Sequence, residues 1–480
     1  MKRLLLIILF PFIYSFGIMA QLITDPEEMF MEGEFFFLAE EYQEAVYYYK
    51  QLVEKYPENA NFNYKVGMTY LQLQGQEHLA IPYLEKAITQ TTSKYKKRSF
   101  TEKNAPHYAL FYLGNAYRIN NELDKALSIY EEFTSSEDFE GNYNLDIVEA
   151  EIKACERAKI IRDVPVNMRQ TKLDSPINSA ENNFNPMISG DGNTMVFVTQ
   201  LKFYDAIHLS RKVGGRWTEP EVLNPQVGSD GDLYPTSLSY NGNELYMVKR
   251  QEGNYDLYVS YLPGPFWTKA VPLNSPVNSR SHETHASVSK DGKTLYFTSD
   301  RKGGEGKLDI YSAEIQENLE WDNVQNLGNR INTPEDEETP FINRDGTRLF
   351  FSSKGHFNMG GYDIFYCDLR DDGTWSDAVN IGFPINTTGD DLFYYPIDNS
   401  KTAYYARLTK EDPIISDIYF IEVLGRGQRS DQDRHALFGH DFELKVIDVH
   451  TSDTLIIHFY RETNDFTVVQ PTGEYIIELK

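Results

Sequence analysis

The feature that most constrains the fold is a repeat of about fifty residues that fills the second half of the chain. Tight-turn dipeptides mark four copies at steps of 50, 50 and 54 residues: Asp191-Gly192, Asn241-Gly242, Asp291-Gly292 and Asp345-Gly346. Asp398-Asn399 marks a degenerate fifth copy. Each turn precedes a short alternating run of apolar residues, which predicts a half-buried β-strand.

Two further markers recur in the same register. One is an aspartate before a second apolar strand in each copy: Asp205, Asp256, Asp309, Asp363 and Asp417. The other is the chain's full set of four tryptophans, which follow their aspartates by 11 or 12 residues: Trp217, Trp267, Trp321 and Trp375. We attribute the regular aspartates to turn capping and hydrogen bonds between repeats rather than to calcium ligation.

A fifty-residue period with about four strands per unit selects a β-propeller, in which each unit is one blade. Five copies predict a five-bladed β-propeller over residues 166–425. The fifth copy lacks the tryptophan-bearing last strand. Residues 166–173 are strand-like and otherwise unpaired, so we expect them to supply that strand and close the ring, which removes open sheet edges.

The first half carries a different repeat, in which small residues alternate with bulky ones at helical spacing. Gly33 and Ala45 let two antiparallel helices approach closely, and aromatic side chains fill the space beside them. The same offsets recur from Gly114 to Ala126, and a middle copy starts at Gly67 with one extra residue. The pattern predicts an α-helical repeat domain over residues 24–162, ending in a capping helix at 143–161.

These patterns resemble known families. Residues 26–136 resemble the tetratricopeptide (TPR) repeat, which implies a helical solenoid. Residues 289–311 and 343–365 resemble the WD40-like (PD40) propeller repeat of TolB-type periplasmic proteins, which implies a protein-interaction platform. Residues 437–480, after a polar linker at 428–434, resemble a shortened carboxypeptidase-regulatory-like β-sandwich. The domain order resembles PorE-type envelope proteins of type IX secretion and gliding, although this sequence stops before their OmpA-like peptidoglycan-binding domain.

The TPR resemblance also implies a concave groove for an apolar or aromatic peptide. The side chains expected to line it come from the first helix of each repeat: Phe30, Phe37, Tyr64, Met68, Leu71, Phe111, Asn115 and Arg118. Packing against neighbouring helices is the alternative for several of them. Asn115 fits a carboxylate clamp, but Phe111 stands where a lysine is expected, so no clamp is predicted. A basic loop at 91–104 is either solvated or a docking point for an acidic partner.

The N-terminus predicts export. Lys2 and Arg3 precede an apolar run at residues 4–16, and cleavage after Ala20 would remove a signal peptide of residues 1–20. We therefore expect a location in the periplasm or at the periplasmic face of the outer membrane. The net charge of −26 disfavours nucleic acid and anionic lipid as partners. Cys155 and Cys367 are expected to be unpaired, buried thiols, with a long-range disulfide as the alternative.

The sequence shows no serine-hydrolase elbow, P-loop or dinucleotide fingerprint, and no cofactor is predicted. His282 and His285 lie at a strand start, where alternating directions argue against a shared metal. Two function classes remain. The first is a non-enzymatic envelope scaffold whose partners are secretion or outer-membrane proteins, with peptidoglycan reached only through them. The second is a carbohydrate- or peptide-binding protein, or an enzyme, that uses the propeller's central channel.

Overall fold

The structure is a computed structural model. It describes residues 25–136, 139, 141–179, 181–251, 253–397, 401–408 and 415–426, and the backbone of 442–448, 454–459 and 475–479. The predicted signal peptide, the fifth turn dipeptide and the polar linker lie outside these residues. The chain divides into two compact units, one reaching Ala116 and including Ser136, the other containing Tyr117–Ser135 and continuing from Phe139. The domain boundaries expected from the sequence, at 24–162, 166–425 and 437–480, stay predictions.

The first unit is helical. Its elements are α1 (Pro26–Leu38), α2 (Tyr42–Lys55), α3 (Ala60–Tyr70), a 3₁₀ turn (Glu77–Ala80), α4 (Ile81–Ala87), the two-residue strands β1 (Thr91–Thr92) and β2 (Ala105–Pro106), and most of α5 (Ala109–Ile119). Asp25 caps α1 by accepting from the Glu27 amide at 3.2 Å. The 3₁₀ turn lies within the stretch where the middle repeat carries its extra residue.

Two glycines of this unit fit where helices meet most closely. A Cβ at Gly33 would lie 2.6 Å from Tyr49 Cε1, and one at Gly67 would lie 2.5 Å from Leu84 Cγ. Both distances are shorter than carbon atoms tolerate. The close helix approach that the repeat pattern predicts at these positions is therefore confirmed.

The second unit opens with two helices, α6 (Leu123–Thr134) and α7 (Leu145–Arg162). Asn144 caps α7 by accepting from the Asp146 amide at 3.0 Å. Helix α7 agrees with the capping helix expected at 143–161.

Strands follow α7 almost without interruption. They are β3 (Val166–Lys172), β4 (Asn182–Ile188), β5 (Thr194–Gln200), β6 (Asp205–Val213), β7 (Arg216–Trp217), β8 (Glu221–Val222), β9 (Leu233–Leu238), β10 (Glu244–Gln251), β11 (Asn254–Tyr261), β12 (Val271–Pro272), β13 (Glu283–Val288), β14 (Thr294–Ser299), β15 (Asp309–Ile315), β16 (Trp321–Asn326), β17 (Glu337–Ile342), β18 (Arg348–Ser353), β19 (Asp363–Asp368), β20 (Val379–Asn380), β21 (Tyr395–Pro396), β22 (Thr402–Leu408) and β23 (Ser416–Arg426). A one-turn helix, α8 (Asn224–Val227), separates β8 from β9.

These strands form five antiparallel sheets, which are the blades of a propeller. Blade 1 is β4-β5-β6-β7 with β8 on β6, blade 2 is β9 to β12, blade 3 is β13 to β16, and blade 4 is β17 to β20. Blade 5 has the order β21-β22-β23-β3. The first strands contact one another around the ring, β4 with β9, β9 with β13, and β13 with β17, so they surround the central channel.

Ring closure follows the prediction from the sequence. Strand β3 pairs antiparallel with β23, from Val166 opposite Arg426 to Lys172 opposite Tyr419. The chain segment before blade 1 thus completes blade 5, and the five-bladed architecture is confirmed.

The recurring turns have one geometry. The second residue of each glycine-containing dipeptide, as at Gly192 and Gly292, has φ between +71° and +73°. Glycine adopts this left-handed conformation without steric cost, which explains its spacing in the sequence. The turn is also capped by a side chain: Ser189 Oγ and Ser289 Oγ accept from the amide that opens the next strand, at 3.0 and 2.9 Å.

The C-terminal segment contains β24 (Phe442–Asp448), β25 (Thr454–Phe459) and β26 (Tyr475–Leu479). They form an antiparallel sheet in the order β25-β24-β26. The sequence predicted strands at 442–448, 454–461 and 473–479, and the three observed strands lie within these ranges. The resemblance to a β-sandwich stays a prediction. Among the described helices, none is long and apolar enough to span a bilayer.

Candidate interaction surfaces

Half of the predicted groove residues lie in the helical core. Phe30 is fully buried, and its ring packs against Tyr49, Phe62 and Phe100 at centroid distances of 6.4, 5.9 and 6.1 Å. Tyr64, Met68 and Phe111 are also buried, whereas Phe37, Leu71 and Asn115 are partly exposed. The four buried residues therefore pack inside the helical unit, which was the alternative expected for several members of the set. Peptide binding by this set stays a prediction.

Arg118, the last member of that set, belongs to the second unit. Its guanidinium is buried: Nε lies 2.6 Å from Glu151 Oε2, and Nη1 donates to the Thr388 carbonyl at 2.6 Å. Thr388 Oγ1 donates in return to the Ile119 carbonyl at 2.9 Å. Thr388 lies in the connector between blades 4 and 5. Arg118 thus joins the end of α5 to the propeller, and its donors are used within the fold.

A second arginine strengthens the same joint. Arg157 on α7 donates to the Asn358 backbone carbonyl at 2.8 Å and to its side-chain oxygen at 2.5 Å. Asn358 lies in the loop between β18 and β19 of blade 4. The helices of the second unit are therefore fixed to the propeller by charge-assisted hydrogen bonds.

One asparagine per blade ties each connector to the third strand of the blade that it leaves, a role that was not predicted from the sequence. Asn332 accepts from the Ile310 amide at 2.8 Å and donates to the Ile310 carbonyl at 3.0 Å. Asn386 repeats this on Ile364 at 2.8 and 2.9 Å. The other three accept from the equivalent amide at 2.7 to 2.8 Å: Asn178, Asn224 and Asn278. The recurring connector asparagines were the available signal.

The aspartate markers cap loops as predicted in blades 3 and 4. Asp309 accepts from the Glu305 and Gly306 amides at 2.6 and 3.1 Å. Asp363 accepts from the Met359 amide at 2.9 Å, and burial raises its pKa to about 7. Both sit at the start of a strand in the equivalent position. These contacts are structural, and among the described residues no group of three or more potential ligands is arranged to hold a metal ion.

The tryptophans contribute to the hydrophobic core at the joints between blades. Trp267, Trp321 and Trp375 are buried and Trp217 is partly buried. The Trp321 backbone accepts from and donates to the Asn274 side chain, at 2.8 and 2.9 Å, across the connector that precedes blade 3. The two cysteines are unpaired and buried, as predicted.

The central channel is blocked at the end where the first strands finish. Tyr395 of blade 5 reaches across to donate to the Leu238 carbonyl of blade 2 at 3.1 Å. The Phe341 ring of blade 4 lies on Tyr395 with centroids 4.2 Å apart. The cavity that these residues line has a volume of only about 50 Å³. That space suits ordered water rather than a sugar ring or a peptide.

Two cationic side chains lie at the rim of this closed end. Tyr240 of blade 2 packs against Gly190 of blade 1, where no larger residue would fit. Lys290 Nζ and the Arg344 guanidinium lie 5.0 and 5.2 Å from the Tyr240 ring centroid. These four residues hold the same turn position in blades 1 to 4. The turn position that varies between repeats therefore places two cations around one aromatic ring, next to the exposed aspartates of the same turns.

The opposite end of the channel is open and acidic. A cavity of about 670 Å³ lies between blades 2, 3 and 4. Its lining is mainly polar: Tyr255, His282, Thr284, Asp300, Gly306, Lys307, Leu308, Asp336 and Glu338. Burial, followed by the nearby Asp336 charge, raises the pKa of Glu338 to about 7.

The two histidines of the rejected metal motif point to different partners. His282 packs against the Tyr255 ring at 5.5 Å, whereas His285 lies 5.4 Å from the Phe393 ring and 3.4 Å from Glu338 Oε2. Burial lowers the pKa of His285 to about 4, so at neutral pH its ring is uncharged. At pH 7 the Glu338 carboxyl is therefore about half protonated, beside an uncharged histidine.

Comparisons with known proteins agree with the architecture. A tetratricopeptide-repeat family model matches residues 29–59. No curated protein sequence matches the chain. Among solved structures, TolB from Acinetobacter baumannii is 17% identical over 52% of this chain and 56% of its own length, with a TM-score of 0.36. The match thus spans little more than half of that TolB.

Solved structures of enzymes match the chain at similarly low sequence identity. The α-L-arabinofuranosidase PaAbf62A from Podospora anserina is 11% identical over 56% of this chain and 99% of its own, with a TM-score of 0.36. A gluconolactonase from Xanthomonas campestris is 11% identical over 54% and 96%, with a TM-score of 0.30. Likeness at this level carries no information about activity. The chain combines helices that match the tetratricopeptide repeat with a five-bladed propeller whose topology its own strands define.

Proposed function

We propose that this protein is an exported, non-enzymatic scaffold of the bacterial envelope that binds other proteins through its helical repeats and its propeller. The observation that carries the proposal is the blocked channel. Tyr395 and Phe341 close one end of the central channel and leave about 50 Å³ there. The surfaces that remain for binding are open ones.

The charge distribution supports the same conclusion. One end of the channel presents Lys290 and Arg344, whereas the other presents an open cavity lined by Asp300 and Asp336. Two chemically different ends of one disc suit simultaneous contact with two different partners. They do not suit a single buried site in which catalytic groups converge.

The setting that we propose is an envelope complex of the type IX secretion or gliding kind, at the periplasmic face of the outer membrane. Support comes from the predicted signal peptide and from the order of helical repeats, propeller and C-terminal strands. Partners would then be secretion or outer-membrane proteins, and peptidoglycan would be reached through them.

Photo-crosslinking in the native envelope tests this function. A photoreactive amino acid replaces Phe203 in one strain and Leu319 in another, since these side chains are 87% and 82% exposed. Crosslinked products are purified through a tag and identified by mass spectrometry, with unirradiated cells as the control. Secretion or outer-membrane proteins are expected from at least one position. Recovery of none from either position would overturn the pathway assignment.

An activity assay tests the alternative directly. The purified chain is incubated with an aryl α-L-arabinofuranoside and with gluconolactone, because enzymes acting on such compounds share the propeller architecture. No turnover above the spontaneous rate is expected. Turnover that disappears on a Tyr395→Ala substitution would place a catalytic site in the channel and refute the scaffold proposal.

A further inference from the structure

A strip of aromatic side chains runs along the open end of the propeller into the acidic cavity. Tyr234 at the start of β9 is 42% exposed, and partial burial with nearby Asp205 and Tyr255 raises its pKa. The Tyr255 ring lies 5.5 Å from His282, which lines the cavity. Exposed aromatic rings next to an open cavity are typical of surfaces that bind protein segments.

The cavity lining carries more acidic than basic side chains. Its acidic residues are Asp300, Asp336 and Glu338. Its one lysine, Lys307, is engaged by Glu335 at 2.7 Å, outside the cavity lining. Within the described part of the chain, Asp336 forms no ion pair. A cation that enters the cavity would therefore meet the Asp336 carboxylate, which attracts Lys307 without forming an ion pair with it.

The aromatic strip already holds a cation at its edge. The Arg250 guanidinium lies 5.8 Å from the Tyr255 ring centroid. Ring faces attract cations by their quadrupole, and a carboxylate behind the ring adds Coulomb attraction. The combination of rings and carboxylates discriminates against an acidic or phosphorylated segment.

We propose that this surface binds an extended segment of a partner protein, with a lysine or arginine side chain in the cavity between blades 2, 3 and 4 and apolar neighbours on Tyr255 and Tyr234. The inference rests on the proposed scaffold function and names the chemistry of its partner. The cavity spans three blades, so it accommodates an extended segment better than a lone ion. No group of described residues is arranged to chelate a metal there.

Peptide display tests the inference with the full-length protein. A library of random twelve-residue peptides is selected on the wild-type chain, and peptides that bind the selection surface without protein are removed. The remaining peptides are synthesised, and their affinities are measured by fluorescence anisotropy. Peptides with a lysine or arginine flanked by apolar residues are expected. Asp336→Asn should weaken them about tenfold, the effect of losing one partly desolvated charge pair.

The controls separate charge in the cavity from charge in general. Asp371→Asn removes an exposed carboxylate on the turn after β19 and should leave affinity unchanged. Tyr255→Ala should weaken the peptides at least fivefold, whereas their Lys→Glu versions should not bind. Selection of acidic peptides, or equal loss with Asp371→Asn and Asp336→Asn, would overturn the inference. If envelope partners are still crosslinked in that case, the scaffold function stands and only its partner chemistry is wrong.

Discussion

Arg301 is the position where the structure makes its sharpest stability prediction. Its guanidinium lies 3.0 Å from Glu283 Oε1, and the Glu283 side chain is completely buried. It also donates to the Pro276 and Val277 carbonyls at 3.2 and 2.7 Å. An Arg301→Met substitution keeps much of the apolar stem and removes the charge. It leaves Glu283 as a buried carboxylate without a counterion.

The equivalent position in blade 4 supplies the magnitude. Glu337 accepts from Thr333 and Ser353 much as Glu283 accepts from Ser279 and Ser299, but it has no arginine, and burial raises its pKa to about 7. A shift of that size from 4.5 corresponds to roughly 3 kcal/mol. Removal of one partner from a buried ion pair generally costs about 3–5 kcal/mol. We therefore expect Arg301→Met to lower the free energy of unfolding by about 3–4 kcal/mol near pH 8.

The sign of the pH dependence follows from proton linkage. Without Arg301, the blade 3 carboxyl should behave like Glu337, whose pKa burial raises from 4.5 to about 7, so the folded state binds more protons than the unfolded state between these pH values. The free energy of unfolding then falls as pH rises through this interval. The cost of Arg301→Met should accordingly be small near pH 5 and nearly complete near pH 8. The cost that remains at pH 5 reflects the lost bonds to the two carbonyls.

Urea denaturation of four proteins at pH 5 and pH 8 measures these terms: wild type, Arg301→Met, Glu283→Gln and the double variant. The double variant should recover at least half of the loss at pH 8, because no charge is left buried. Arg370→Met, which changes an exposed arginine, should stay within about 0.5 kcal/mol of wild type. An equal cost at both pH values, or a double variant as unstable as Arg301→Met, would refute the electrostatic reasoning.

Three further predictions concern packing and the thiols. Asn332→Ala should lower the free energy of unfolding by about 2–3 kcal/mol in thermal or urea unfolding, because the bonds to one backbone amide and one carbonyl of β15 are lost at a buried site. Gly67→Ala should cost roughly 1–3 kcal/mol, followed by circular dichroism at 222 nm, whereas Gly264→Ala, where the added methyl meets open space, should be neutral. Cys155 and Cys367, whose burial raises each pKa to about 12, should react with a thiol reagent only after unfolding.

The periodic part of the fold could be predicted because the same local conformational requirement recurs at a fixed interval, which identifies a repeated structural unit. The turn that holds Gly192 requires a left-handed backbone, and its recurrence fixed the blade count. The strand before blade 1 was predicted to complete blade 5, because that blade lacked its last strand and an open sheet edge is unfavourable. Gly33 and Gly67 likewise predicted where two helices pack closely, because a Cβ at either position would clash with the facing helix.

The candidate site was harder to predict, because it is built from the positions that differ between repeats. Tyr240, Lys290 and Arg344 each occupy an ordinary turn position, and their convergence on one rim depends on ring closure. Arg118 was expected in a binding groove on family resemblance, yet its contacts are with Glu151 and Thr388. A repeat pattern identifies which face of a helix is apolar. It does not identify which neighbour will cover that face.

The same distinction explains how one scaffold can present two chemically different ends. Residues that repeat, such as the connector asparagine Asn386 and the turn glycines, satisfy backbone groups and hold the blades together. Residues outside that network decide the surface: Arg344 at the closed end, Asp336 at the open one. Substitution within the network of repeated hydrogen bonds should therefore change stability before binding. Substitution at a rim position outside it should change binding while the propeller keeps its stability, and the Asp336→Asn and Asn332→Ala variants set these two outcomes side by side.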